Sequence, residues 1–239
     1  PRPPAGVSVA LKSIADEVSE TSQRAYVEKM VSFGTRSTIS DATSNTRGIG
    51  AARRWVETEF RGMASACGGC LQIVTPSDTV TGARYPQPTL VVDVVAIQRG
   101  ATDPNRVIII QGHLDSRNST NENVTDDASG VAAVMESARI LSKRKFPATI
   151  VYAALSGEEQ GLSGGRILAA YAKAQGWQVE AVLNNDIIGN SKSINGKVDD
   201  RTVRVFSEGI RATETPQMAA AARCSSSPAP WACCAFRMR

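Results

Sequence analysis

The sequence predicts an α/β fold, a mostly parallel sheet flanked by helices on both faces. Two observations carry this. Short, nearly continuous apolar segments such as Val107–Gln111 and Thr149–Ala154 read as strands buried on both faces. They alternate with helical stretches such as Ala128–Lys143, whose Val131, Val134, Met135, Ala138 and Leu141 share one side. Strands alternating with helices are the order that crossover connections in a parallel sheet require.

Taken in order, residues 8–33 read as one helix carrying Val9, Leu11, Ile14, Val18, Tyr26, Val27 and Met30. The polar stretch 34–46 is a turn-rich loop. A second helix runs from about Gly48 to Met63, with Ile49, Trp55, Val56 and Phe60 as core contacts. Leu90–Ile97 is a strand, followed by the strand Val107–Gln111, the helix from Ala128 and the strand Thr149–Ala154. Ser163–Ala174 is a helix, and Ala181–Ile187 and Thr202–Phe206 are further strands.

Composition narrows the field. The net charge of +4 is spread thinly, and half of it falls beyond residue 211, so no basic cluster points to nucleic acid. No apolar run reaches the roughly 18–20 residues of a membrane span. Cys67 and Cys70 form a Cys-Gly-Gly-Cys unit, and ahead of the tail cysteines Cys224, Cys233 and Cys234 the chain has no second pair of the kind a zinc ribbon needs, which leaves a local disulfide or two free thiols. A disulfide suits an exported protein, so the expected location is secreted or periplasmic. Residues 212–239 mix Ala, Cys, Ser, Pro, Arg and Trp without a period, as GC-rich DNA read out of frame would. The expectation is a catalytic domain over 1–211, incomplete at its C-terminal end, and an aberrant or disordered tail over 212–239, with a frameshift near residues 219–224.

Polar residues gather where strands end. Val107–Gln111 runs into Gly112-His113-Leu114-Asp115, Thr149–Ala154 into Ser156-Gly157-Glu158-Glu159, and Ala181–Leu183 into Asn184-Asn185-Asp186. Asp126-Asp127 stands before a helix. Sites in open parallel sheets form beyond the carboxyl ends of the strands, so these groups can share one crevice. Singly each has a plainer reading. A lone histidine is more often a satisfied surface or core residue, and paired acids cap helices or face water. Together, imidazole and carboxylates suit zinc, and a carboxylate can bridge two metals.

The segments GHLDS, TDDASG, SGEEQGL and NNDIIGN resemble the successive motifs of the co-catalytic dizinc aminopeptidases, family twenty-eight of the metallopeptidases. The likeness spans roughly Ser32 to Arg211. It implies that His113 and Asp186 hold one zinc, that Asp126 bridges two, and that Glu159 belongs to the second. It implies that Glu158 is the general base, that Asp115 orients the His113 ring, and that the peptide after Asp126 is cis. The substrate would be a peptide with a free N-terminus. The family's second zinc takes its last ligand from a downstream histidine, whereas His113 is the single histidine here. The second site is therefore expected to be incomplete and activity impaired. A zinc carboxypeptidase or deacylase, or a non-catalytic receptor-like domain on the same fold, are the alternatives. Asn118-Ser119-Thr120 and Asn123-Val124-Thr125 match glycosylation acceptors.

Overall fold

The computed structural model describes residues 5–118, 126–193, 195–202 and 205. The chain divides into two compact units, Pro1–Gly189 and Asn190–Arg239. In the first, helices α1 (Ala5–Asp16), α2 (Glu20–Val31) and α3 (Gly48–Ala66) precede strands β1 (Gln72–Val74), β2 (Ser77–Gly82), β3 (Tyr85–Val92), β4 (Val94–Gln98) and β5 (Asp103–His113). Then come α4 (Ala128–Leu141), β6 (Ala148–Leu155), α5 (Ser163–Ala174) and β7 (Gln178–Asn184).

Five strands form one sheet in the order β1-β4-β6-β5-β7. β5 pairs in parallel with both β6 and β7, while β4 runs antiparallel to both of its neighbours, β1 and β6. Four of the five strands thus point the same way. The α/β fold with a mostly parallel sheet stands as the sequence implies, with β4 as the reversed member.

Alternation along the strands divides the core into two layers. Val94, Ala96, Ile110, Ile150, Tyr152 and Ala154 face the side covered by α2, α3 and α4, where they meet Met30, Val56, Phe60, Val131 and Met135. Val95, Ile97, Val107, Ile109, Val151, Ala153 and Leu155 face the other side, with Leu168 of α5. Every residue of β6 is buried, as a central strand between two helical layers requires. β2 and β3 form a separate antiparallel hairpin, whose Tyr85 and Val91 pack on Ile167 of α5.

The structure corrects several boundaries. The helix expected over 8–33 is two helices. Ser19 caps the second, its side chain accepting the Ser22 amide, so the apolar pattern runs on through a break that a capping serine imposes. The strand expected over 90–97 is the end of β3 and most of β4, parted at Asp93, which is fully buried. β7 lies three residues earlier than expected, and β1 and the hairpin are additional. Cys67 and Cys70 are joined by a disulfide, with Cα atoms 5.5 Å apart.

The start of α3 lies unusually close to the loop before it. The Ile49 amide donates to Ser40 Oγ and the Gly50 amide to the Asp41 carbonyl. A Cβ on Gly50 would fall 2.1 Å from the Ala42 carbonyl oxygen, so no side chain fits there.

In the second unit, Lys192 and Val198 form an isolated antiparallel bridge. The Ser193 amide and hydroxyl both donate to the Lys197 carbonyl. Of the strand expected at 202–206, Thr202 and Val205 are described and lie in no strand, while residues 203, 204 and 206 are outside the described residues. So are the tail 212–239 and, within the two glycosylation motifs, residues 119–125. Among the described residues no helix is long and apolar enough to cross a membrane.

Candidate metal centre

Because β5, β6 and β7 are parallel, their carboxyl ends share one edge of the sheet. His113 closes β5, the Ser156–Glu159 segment follows β6, and Asp186 follows β7. Asp127 is the N-cap of α4. Its Oδ1 accepts the amides of Gly130 at 2.8 Å and Ile187 at 3.0 Å, which ties the helix start to the residues after β7. The Asp126–Asp127 peptide is cis, as the motif resemblance implies.

His113 Nε2 lies 3.5 Å from Asp126 Oδ1 and 3.7 Å from Asp186 Oδ1. These three side chains can present ligand atoms that all lie within 4.8 Å of one another. Two atoms each about 2.1 Å from a tetrahedral zinc are about 3.4 Å apart, so the spacing is that of a shared ion. Asp126 Oδ1 is moreover buried and has no hydrogen-bond partner among the described residues. A carboxylate oxygen is costly to bury in that state, and a cation removes the cost.

The electrostatics show the same crowding. Burial alone would lower the pKa of His113, but the Asp115 carboxylate beside it and the charges of Asp127 and Glu158 outweigh burial and hold it at about 9. Burial pushes Asp127 up to about 6 against the pull of its Gly130 hydrogen bond and of His113. Burial also raises Glu158, with Glu159, Asp115 and Asp186 adding repulsion. A carboxyl raised in this way is a better proton acceptor than an ordinary glutamate.

Asp115 meets the His113 ring chiefly through its backbone. His113 Nδ1 is 2.8 Å from the Asp115 main-chain oxygen and 3.7 Å from its carboxylate. The two carboxylate oxygens accept the Glu158 amide at 3.1 Å and the Glu159 amide at 3.3 Å. Asp115 therefore fixes the imidazole through its backbone and the Glu158-Glu159 pair through its side chain. Glu159, expected as a ligand, stands outside the three-residue group. Its carboxylate pairs with Arg117 Nε at 3.1 Å, and its carbonyl accepts from Arg84 of the hairpin.

Sequence reasoning missed Arg36, which lies in the stretch read as a plain loop. It is fully buried. Its guanidinium donates to the carbonyls of Met30, Leu114 and Asp126, at 3.2, 3.0 and 3.1 Å, and its amide donates to Ser116 Oγ at 3.0 Å. Burial pulls its pKa down to about 10, and the charges of Asp115, Asp126 and Asp127 oppose the fall. It is a fixed cation beneath the acids, holding the main chain on either side of the cluster.

The profile of Peptidase family M28 matches residues 93–230. A protein of Pyricularia oryzae named a probable zinc metalloprotease is 44% identical over 207 residues, covering 83% of this chain and 41% of that one. A probable zinc metalloprotease of Leptosphaeria maculans is 41% identical over 218 residues, covering 88% and 51%. The chain thus spans about half the length, or less, of these relatives. Among solved structures, the Legionella pneumophila LapA aminopeptidase aligns with a TM-score of 0.59 at 24% identity, over 75% of this chain and 46% of that one. Porphyromonas gingivalis glutaminyl cyclase aligns at 0.60 and 21%, over 73% and 61%. These two likenesses are likenesses of fold. The matched profile and the identity to the fungal proteins carry the assignment, and the chain belongs to Peptidase family M28.

Proposed function

We propose that this chain carries the metal centre of a zinc-dependent aminopeptidase, which removes residues from the free amino end of a peptide. One observation carries the reading. The buried Oδ1 of Asp126, without a hydrogen-bond partner among the described residues, lies beside His113 and Asp186 at the edge of the sheet where Glu158 also sits. His113, Asp126 and Asp186 would hold one zinc. Asp126 and Glu159 would contribute to a second, whose set lacks a histidine because His113 is the only one in the sequence. The second ion would bind weakly, and turnover by this chain would be impaired.

When bound, zinc supplies Lewis acidity that acidifies a water and polarises the scissile carbonyl. Glu158 takes the water's proton and returns it to the leaving amine, a task suited to its raised pKa. The Asp115 backbone oxygen holds the His113 ring by Nδ1, so Nε2 is the atom left to face the ion. Arg36 keeps the Asp126 main chain in place. The names of the fungal relatives support zinc and peptide hydrolysis. The name of LapA, borne by a protein of the same fold, is in keeping with an amino-terminal cut. The Cys67–Cys70 disulfide favours a secreted or periplasmic location.

Two measurements test this. Zinc titration of the metal-free chain is expected to show one tight ion, lost in His113→Ala, and a second, much weaker one. A leucine amide should be cleaved slowly and its N-acetylated form not at all. A chain that takes up no zinc removes the centre, and cleavage of the acetylated form alone removes the aminopeptidase assignment.

A further inference from the structure

The segment Ser156-Gly157-Glu158-Glu159 belongs to neither β6 nor α5, yet each of its four amides is caught by a side chain. Ser156 N donates to Asp93 Oδ1 at 2.9 Å and Gly157 N to Thr38 Oγ1 at 2.7 Å. Glu158 N and Glu159 N donate to the two oxygens of Asp115. The carbonyls are held from the other side. Ser156 accepts from Gly164, Gly157 from Ser163, and Glu158 from Gly161 and Leu162.

The three acceptors come from distant parts of the chain, and Thr38 is 119 residues from the amide it takes. All three are buried. The fit around Gly157 is tight. Its φ is +74°, and a Cβ would meet Tyr85 Oη at 2.9 Å and Ser163 Cβ at 3.0 Å. A segment held on both edges cannot shift without breaking several buried hydrogen bonds, each costly when left unmade. Precision of this order at a metal centre comes from groups that touch neither ion nor substrate.

We propose that Thr38 is a positioning residue of the metal centre, acting through the Gly157 amide to aim the side chains of Glu158 and Glu159. Asp93 and Asp115 hold the amides on either side, and Thr38 closes the gap between them. The inference rests on the roles given above to Glu158 and Glu159.

Thr38→Val keeps the shape and removes the acceptor, while Thr38→Ser restores it. Thr149→Val is the matched control. The Thr149 hydroxyl is buried and also accepts a backbone amide, that of Gly100 at 3.0 Å, but at the far end of β6. Two readouts apply to the full chain. Hydrogen exchange of the metal-free chain reports the Ser156–Glu159 amides. Titration with Co2+ alone reports the affinity and visible spectrum of a first and a second bound ion.

Thr38→Val is expected to speed exchange at Gly157 and its neighbours at least tenfold. It should weaken the second Co2+ about tenfold and alter its spectrum, with the first ion unchanged. Thr38→Ser should resemble the parent chain. Thr149→Val should lower the melting temperature while leaving both Co2+ events intact. If Thr38→Val leaves the second ion and its spectrum unchanged, or if Thr149→Val alters them equally, the positioning role is overturned. A parent chain that never binds a second Co2+ refutes instead the reading of Glu159 as a ligand.

Discussion

Acids meet helix α4 in two places, and the chain treats them in opposite ways. Along the helix, Glu136 is buried and fully answered. Arg139 donates to both of its oxygens at 2.6 and 2.7 Å, and the Ser19 amide donates at 2.6 Å. Arg139 also donates to the Glu17 carbonyl, and Arg144 pairs with the Glu17 carboxylate. Burial would raise Glu136, but these bonds win and lower it. At the N-terminal end of the same helix, Asp126 Oδ1 and Asp127 Oδ2 are buried without hydrogen-bond partners among the described residues, and Asp127 is pushed up to about 6. One cluster is neutralised by its own chain, and the other is arranged as though a cation from solution were part of it. That contrast, more than acidity itself, separates a structural ion pair from a candidate metal centre.

The contrast can be broken most sharply by Asp126→Asn. Zinc affinity should fall by about 100-fold or more, while the metal-free chain should lose little stability, because Asp126 Oδ1 has no hydrogen bond among the described residues to lose. The matching change Glu136→Gln should do the reverse. It should cost about 1–3 kcal/mol in urea denaturation by weakening a buried, charge-assisted set, with zinc binding unaltered. Loss of stability in Asp126→Asn, or loss of zinc in Glu136→Gln, would erase the distinction.

Arg36→Met tests the buried cation between these extremes. It should cost about 3 kcal/mol, since three carbonyls lose a donor, and it should also weaken zinc binding because the Asp126 main chain is released. A stability loss with unchanged zinc affinity would confine Arg36 to the fold.

The gentlest probe is pH. Asp127 near 6 and His113 near 9 both lie above their ordinary values, so the folded metal-free chain holds protons that the unfolded chain releases. Their contribution to stability should fall as pH rises through 6 and again through 9. Glu136 is lowered, so its contribution is present above the ordinary glutamate value and lost on acidification below it. Urea denaturation in chelator at pH 5, 7 and 9 should show declining stability, and added zinc should flatten the decline. A rise from pH 5 to 9 without metal would contradict the assignment.

Much of the proposed centre was legible because its signals are local. His113, Glu158, Glu159 and Asp186 each follow an apolar strand directly, and Asp126 immediately precedes a helix cap. The groups that hold them are of another kind. Arg36 and Thr38 act on partners as far as 90 and 119 residues away, and nothing beside them in sequence marks them as buried. Asp93 did leave a trace, a lone acid inside the apolar run Val91–Ile97, and it marks the point where β3 gives way to β4. The β2–β3 hairpin was hidden because Ser77, Asp78 and Thr79 are polar and exposed, and because its turn at Ala83-Arg84 lacks the usual Asn-Gly or Asp-Gly pair. The break between α1 and α2 was masked by apolar residues that keep a helical spacing through it.

The lack of room for a Cβ between Gly50 and Ala42 has a reach beyond the helix that contains it. The loop it wedges in place leads back through Ser40 to Thr38 and Arg36, so α3 acts as the back-stop for both. A single methyl group at residue 50 would push that loop forward, and the disturbance would surface at the chemistry and not at the helix. Gly50→Ala should therefore behave as a remote lesion of the centre, in a residue that has no side chain to place there.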